Sequence, residues 1–120
     1  MRTSEIKLSV KLDDDKMPAA ISWEADDAGF KGSKSVKTLM LSLWDDNEKL
    51  TYSIDLWTKE MMLNDMNVHF HQMFLKMADT YLLATKNSEI SDRIKKFADE
   101  FADKLEVFKK EDEGEGRAVK

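Results

Sequence analysis

The apolar residues of this chain recur at every second position up to residue 57, and at every third or fourth position from residue 66 onward. No other feature limits the fold as much. A period of two belongs to strands with one apolar face, and a period near 3.6 belongs to helices with one apolar stripe. From Glu5 to Leu12, the residues Ile6, Leu8, Val10 and Leu12 alternate with Glu5, Lys7, Ser9 and Lys11. After the break Asp13-Asp14-Asp15-Lys16, Pro18 leads a shorter alternation in which Ile21, Trp23 and Ala25 oppose Ser22 and Glu24. Residues 26–35 contain Gly29 and Gly32 and read as a loop. A third strand is expected from Val36 to Trp44, with Leu39, Leu41 and Leu43 on one face and Thr38, Met40, Ser42 and Trp44 on the other. Beyond the polar turn Asp45-Asp46-Asn47-Glu48, Leu50, Tyr52, Ile54 and Leu56 alternate with Thr51, Ser53, Asp55 and Trp57. Pairing Trp44 with Lys49 would set Leu43, Leu41 and Leu39 opposite Leu50, Tyr52 and Ile54, so the apolar faces agree.

In the second half, Met66, Phe70, Met73, Phe74, Met77, Tyr81 and Leu82 form one helical stripe, with Asn64 or Asp65 available as its cap. A break at Lys86-Asn87-Ser88 leads to a second stripe of Ile90, Ile94, Phe97, Phe101, Leu105 and Phe108, with Ala98 and Ala102 beside it. Strands followed by helices indicate an α+β fold: a four-stranded antiparallel sheet, then two helices packed on its Leu-rich face. Residues 1–108 read as a single domain and 109–120 as a charged, solvated tail without apolar periodicity.

Composition narrows the function. The chain has 120 residues with a net charge of -5, a hydrophobic share of 42% and a charged share of 36%. That suits one soluble domain and repels a phosphate backbone unless the cations are gathered on one face. They are not gathered: residues 1–60 hold 9 basic and 12 acidic residues, and residues 61–120 hold 10 and 12. Nucleic acid is therefore a poor partner. With no cysteine there is no disulfide, thiolate ligand or cysteine nucleophile. No stretch approaches the roughly 18 apolar residues of a membrane span. The N-terminus enters a strand pattern without a signal-like apolar run, so a cytoplasmic location is expected.

The search for chemistry finds no catalytic, metal or cofactor site. His69 and His71 are two apart and point about 200° away from each other on a helix, whereas helical metal pairs stand three or four residues apart. Asp65 and His69 have that spacing but form only a pair. Asp13-Asp14-Asp15 and Asp26-Asp27 lack the spacing and distal glutamate of a calcium loop and read as solvated turns. The glycines at 29, 32, 114 and 116 form no phosphate loop, and no Gly-x-Ser-x-Gly is present.

What remains is an uneven set of large apolar residues. Met61 and Met62 precede the first helical stripe, and methionine packs adaptably both in cores and on partner-binding surfaces. The face of the second hairpin opposite its leucines carries Met40 and Trp44, with Val36 beside Trp57 at the far end. Two readings follow. Either this face meets another subunit or a partner, or the loop at 26–35 or the chain before the first helix covers the tryptophans. Met40, Trp44, Trp57, Met61 and Met62 are the candidate interface residues.

The segment Ile54-Asp55-Leu56-Trp57-Thr58-Lys59-Glu60-Met61 resembles the Ile-Asp-Leu-Trp-Thr-Lys-Asp-Met stretch of the gliding motility-associated GldC family of Bacteroidetes. Thr3-Ser4-Glu5-Ile6-Lys7, Ser42-Leu43-Trp44-Asp45, Phe70-His71-Gln72 and Met77-Ala78-Asp79-Thr80 are similar to that family as well, in order, over about residues 2–108. Met62 departs from it, standing where the family has proline. The resemblance implies a cytoplasmic accessory role in gliding motility, with no enzymatic reaction or cofactor. The order of strands and helices is also similar to that of the SecB export chaperone, in architecture only.

Together these readings lead to a non-enzymatic interaction protein, a homo-oligomer that binds a protein of the gliding or secretion machinery. The first alternative is a SecB-like holdase. The second is a small-molecule binder or enzyme with a site between sheet and helices, where Tyr52, His71 and Asp79 supply polar groups.

Overall fold

A computed structural model describes residues 1–107. Phe108 and the charged stretch 109–120, expected as a tail, lie outside the described residues. The elements run β1 (Ile6–Leu12), β2 (Pro18–Ala25), β3 (Lys34–Val36), β4 (Thr38–Asp45), β5 (Leu50–Trp57), α1 (Leu63–Thr85) and α2 (Ser88–Leu105). They form two compact units, a strand-built one over Met1–Met61 and a helical one beginning at Met62. The α+β class holds, but the single four-stranded sheet does not. Five strands form a three-stranded sheet, β1-β2-β3, and a separate pair, β4-β5.

In the first unit β1 and β2 pair antiparallel with Leu8 opposite Trp23 and Val10 opposite Ile21. Ile21 is the most enclosed large side chain, facing Val10 on one side and Val36 of β3 on the other. The β1–β2 turn is built by Asp13. Its Oδ1 accepts the N–H of Asp15 at 2.9 Å and of Met17 at 3.0 Å, while its Oδ2 meets Lys59 Nζ at 3.0 Å. These groups, the Met17 N–H first and then Lys59, hold the Asp13 carboxyl below its ordinary value of 3.8.

The expected third strand is broken. Lys34–Val36 pair with β2, Lys37 is a bend, and Thr38–Asp45 pair with β5. Lys34 and Ser35, read from sequence as loop, therefore belong to a strand. The hairpin register also differs from expectation. Trp44 lies opposite Thr51, not Lys49, and Val36 is not beside Trp57, whose partner is Thr38. The reason is the loop: Asp45 is still in the strand, so four residues, Asp46 to Lys49, make the connection. Lys49 adopts φ 57° and returns its N–H to the Asp45 carbonyl at 2.8 Å. The shift is two residues, so the faces survive: Leu39, Leu41 and Leu43 meet Leu56, Ile54 and Tyr52. The Leu-rich face is not sealed, however, since Leu43 and Ile54 are 55% and 50% exposed.

In the helical unit α1 begins at an extended Met62, φ -86° and ψ 147°, with no side-chain cap. The cap is thus neither Asn64 nor Asp65, and Asp65 sits in the first turn, where a carboxylate complements the helix dipole. At the expected break Lys86 turns left-handed (φ 61°) and donates its N–H to Leu82 at 2.8 Å. Asn87 then caps α2, its Oδ1 accepting the Ile90 N–H at 3.1 Å. The helices meet along small residues: Ala78, Ala98, Ala102 and Ser91 are buried, and Ser91 Oγ donates to the Ala78 carbonyl at 2.8 Å. Phe74 stands edge-on to Phe97 and Phe101, at 5.2 Å from each, and to Phe70 at 6.2 Å.

Two outcomes follow. Asn87→Ala should lower unfolding free energy by about 1 kcal/mol, read by urea denaturation. Because the folded-state pKa of Asp13 is depressed, its contribution is present above 3.8 and is lost as pH falls through the lower folded value. Melting curves of Asp13→Asn should accordingly depend less on pH below 4 than those of the parent chain.

Candidate functional site

The alternation of β4 and β5 sends Thr38, Met40, Ser42 and Trp44 to the same face as Trp57, Asp55, Ser53 and Thr51. On it Trp44 is 61% exposed, Met40 44% and Trp57 38%. Trp57 is diagonal to Met40, within reach of a long side chain, whereas Trp44 lies four positions along β4 from Met40, roughly 13 Å. The face is therefore a stripe with a tryptophan at each end rather than a cluster.

The hairpin tip holds Trp44 in place. Asp46 Oδ1 accepts from Lys49 Nζ at 2.9 Å and from Trp44 Nε1 at 3.4 Å. Both donors, Lys49 foremost, keep the Asp46 carboxyl below its usual range. On the opposite face Tyr52 donates its hydroxyl to Glu48 at 2.7 Å, which raises the phenol above its usual value. Glu48 N–H in turn bonds Asp45 Oδ1 at 2.9 Å.

The remaining interface candidates separate. Met61 is 5% exposed and packs as a core residue, while Met62 is half-buried at the start of α1. The 26–35 loop covers a tryptophan, but a different one: Phe30 stands edge-on to Trp23 at 5.2 Å, with Lys34 Nζ 4.5 Å from the Phe30 ring. A cation over the phenyl adds a cation–π contact that alternation alone does not reveal.

Candidate chemical groups are engaged locally. Asp26 accepts the Glu5 N–H at 2.9 Å, and Asp27 takes Ser4 Oγ at 2.8 Å and Arg2 at 3.4 Å, so these carboxylates fasten the N-terminal segment. Tyr52 belongs to the first unit, His71 and Asp79 to the second. Asp79 pairs with Lys95 at 3.3 Å, and His71 is buried. His69 lies edge-on to Phe70, and its Nε2 is buried without a hydrogen-bond partner. Among the described residues no three His, Asp or Glu side chains converge as a metal site. The helical unit also has an open apolar groove of about 340 Å³ lined by Phe74, Met77, Ile90, Arg93, Ile94 and Phe97. Sequence reading placed most of these residues in the core, yet Met77 is 57% and Phe97 50% exposed.

The model of the gliding motility-associated GldC-like family matches residues 18–107, from the start of β2 to the end of the described chain. The chain belongs to the GldC-like family. The match includes the whole hairpin with Met40, Trp44 and Trp57, both helices and the Asn87 cap. Comparison with curated proteins and with solved structures finds no match. GldC-like membership associates the chain with gliding motility. No helix among the described residues is long and apolar enough to cross a membrane.

Removing the phenyl that covers Trp23 tests the loop. Phe30→Ala should shift tryptophan emission to longer wavelength, and the shift should vanish when Trp23→Phe is added.

Proposed function

We propose that this protein is a non-enzymatic, cytoplasmic accessory protein of gliding motility that self-associates and binds a protein partner through the Met40, Trp44 and Trp57 face. The observation that carries the reading is the exposure of these three side chains on one face of a strand pair. Strand positions meant only for water are ordinarily Thr, Ser, Lys or Glu, and interfaces are enriched in exactly these large types, tryptophan and methionine among them. Trp44 is presented with its indole N–H already satisfied by Asp46, so docking a partner on its ring strands no donor. Family membership supports the process, gliding, and the exposed hairpin face supports the contact.

A holdase of the SecB kind is the second reading, favoured by the apolar residues Leu43, Tyr52 and Ile54 exposed on the other face of the same hairpin. Suppression of aggregation of a denatured client separates the two.

Trp44→Ser with Trp57→Ser should weaken partner capture by roughly 30-fold or more, the loss of about 2 kcal/mol expected of a tryptophan anchor. Gliding should fail in cells carrying the variant while its far-UV circular dichroism stays native. Normal gliding together with unchanged capture of the gliding-cell partner by the variant would sink the reading.

A further inference from the structure

The β5 edge is the second place where this hairpin is incomplete. Thr58 donates its N–H to the Lys37 carbonyl at 2.9 Å, next in the ladder that pairs Thr38 with Trp57. Because backbone groups of an antiparallel pair face the neighbour at alternate residues, Leu50, Tyr52, Ile54 and Leu56 spend theirs on β4. Thr51, Ser53, Asp55 and Trp57 then present N–H and C=O on the outer edge. Among the described residues no strand pairs with β5 on that side.

Edges that are to stay single carry lysine, proline or a bulge. β1, one of the two outer strands of the other sheet, does: it has Lys7, Lys11 and a register irregularity between Lys11 and Leu12. β5 reads Leu-Thr-Tyr-Ser-Ile-Asp-Leu-Trp, with no lysine and no proline, and is paired in unbroken register. A two-stranded ribbon is also marginal by itself, and three or more strands are the ordinary minimum for a stable sheet.

The edge matches its own copy. Turned antiparallel about Ser53, β5 sets Leu50 against Leu56, Tyr52 against Ile54, Thr51 against Asp55 and Ser53 against Ser53. Apolar side chains meet apolar ones on one face, and on the other a hydroxyl donor meets the single carboxylate, with no like charges opposed. We propose that a second copy of this chain adds to the β5 edge, two-fold about Ser53, to make a four-stranded β4-β5-β5-β4 sheet. The Trp44 and Trp57 stripes of both copies then lie on one continuous face. This deepens the self-association proposed above and rests on it.

The cysteine-free chain makes the test clean. The intact protein should sediment at twice its 13.9 kDa chain mass. Ser53→Lys, which sets two like charges directly opposite each other across the two-fold, should return it to the chain mass with native circular dichroism. Under mild oxidation Ser53→Cys should link two chains, because directly opposed residues of an antiparallel pair stand about 5.5 Å apart, inside disulfide range. Ser9→Cys on β1 should not. A parent chain that stays monomeric overturns both this edge and the self-association. A dimer that survives Ser53→Lys and leaves Ser53→Cys unlinked overturns the edge alone, and capture through the tryptophan face is then judged independently.

Discussion

Lys37 is the residue on which the first unit turns. The chain leaves β2 there after only three paired residues and takes up β5, and the Lys37 carbonyl accepts the Thr58 N–H that closes the new ladder. One break thus divides a meander into a three-stranded sheet and a two-stranded ribbon. A ribbon of two eight-residue strands has too few neighbours to cover both its faces. The exposure of Trp44 and Met40 on one side, and of Leu43 and Ile54 on the other, is the direct result.

Around that ribbon the aspartates act as backbone organisers. Asp13 gathers the N–H groups of its own turn and the ammonium of Lys59. Asp45 receives the Glu48 N–H, Asp46 receives Lys49 and Trp44, and Asp26 and Asp27 hold the chain ahead of β1. In each acidic run at least one carboxylate is taken up by neighbouring donors, as short polar side chains in turns commonly are.

The periods were readable because they depend only on local backbone geometry: two for β1, β2, β4 and β5, and 3.6 for α1 and α2. The Asn87 break was readable for the same reason, since a cap bonds three residues ahead. Features that depend on distant partners were not. Nothing in Lys34-Ser35-Val36 announces that it pairs with β2 before the bend, and the hairpin register waits on whether Asp45 is strand or turn. Parity placed Met40, Trp44 and Trp57 on one face correctly, since a two-residue shift preserves it. Exposure could not be placed this way: Met61 and Met62 are adjacent and identical in type, yet one is buried and the other half-exposed. Trp23 and Phe30 likewise sit in different segments, and only the folded loop joins them.

Among the described residues, three of the four non-glycine positions with left-handed backbone are lysine. Lys16, Lys49 and Lys86 all hold left-handed backbone, at φ 63°, 57° and 61°, where glycine would be relaxed. Each corner therefore carries a positive charge in a chain whose net charge is -5. Exchange for glycine would ease the backbone but remove a cation and loosen the unfolded chain, so curvature and electrostatic balance cannot be adjusted separately at these points. The shape of the turns and the net charge of the chain are, at these three residues, one property.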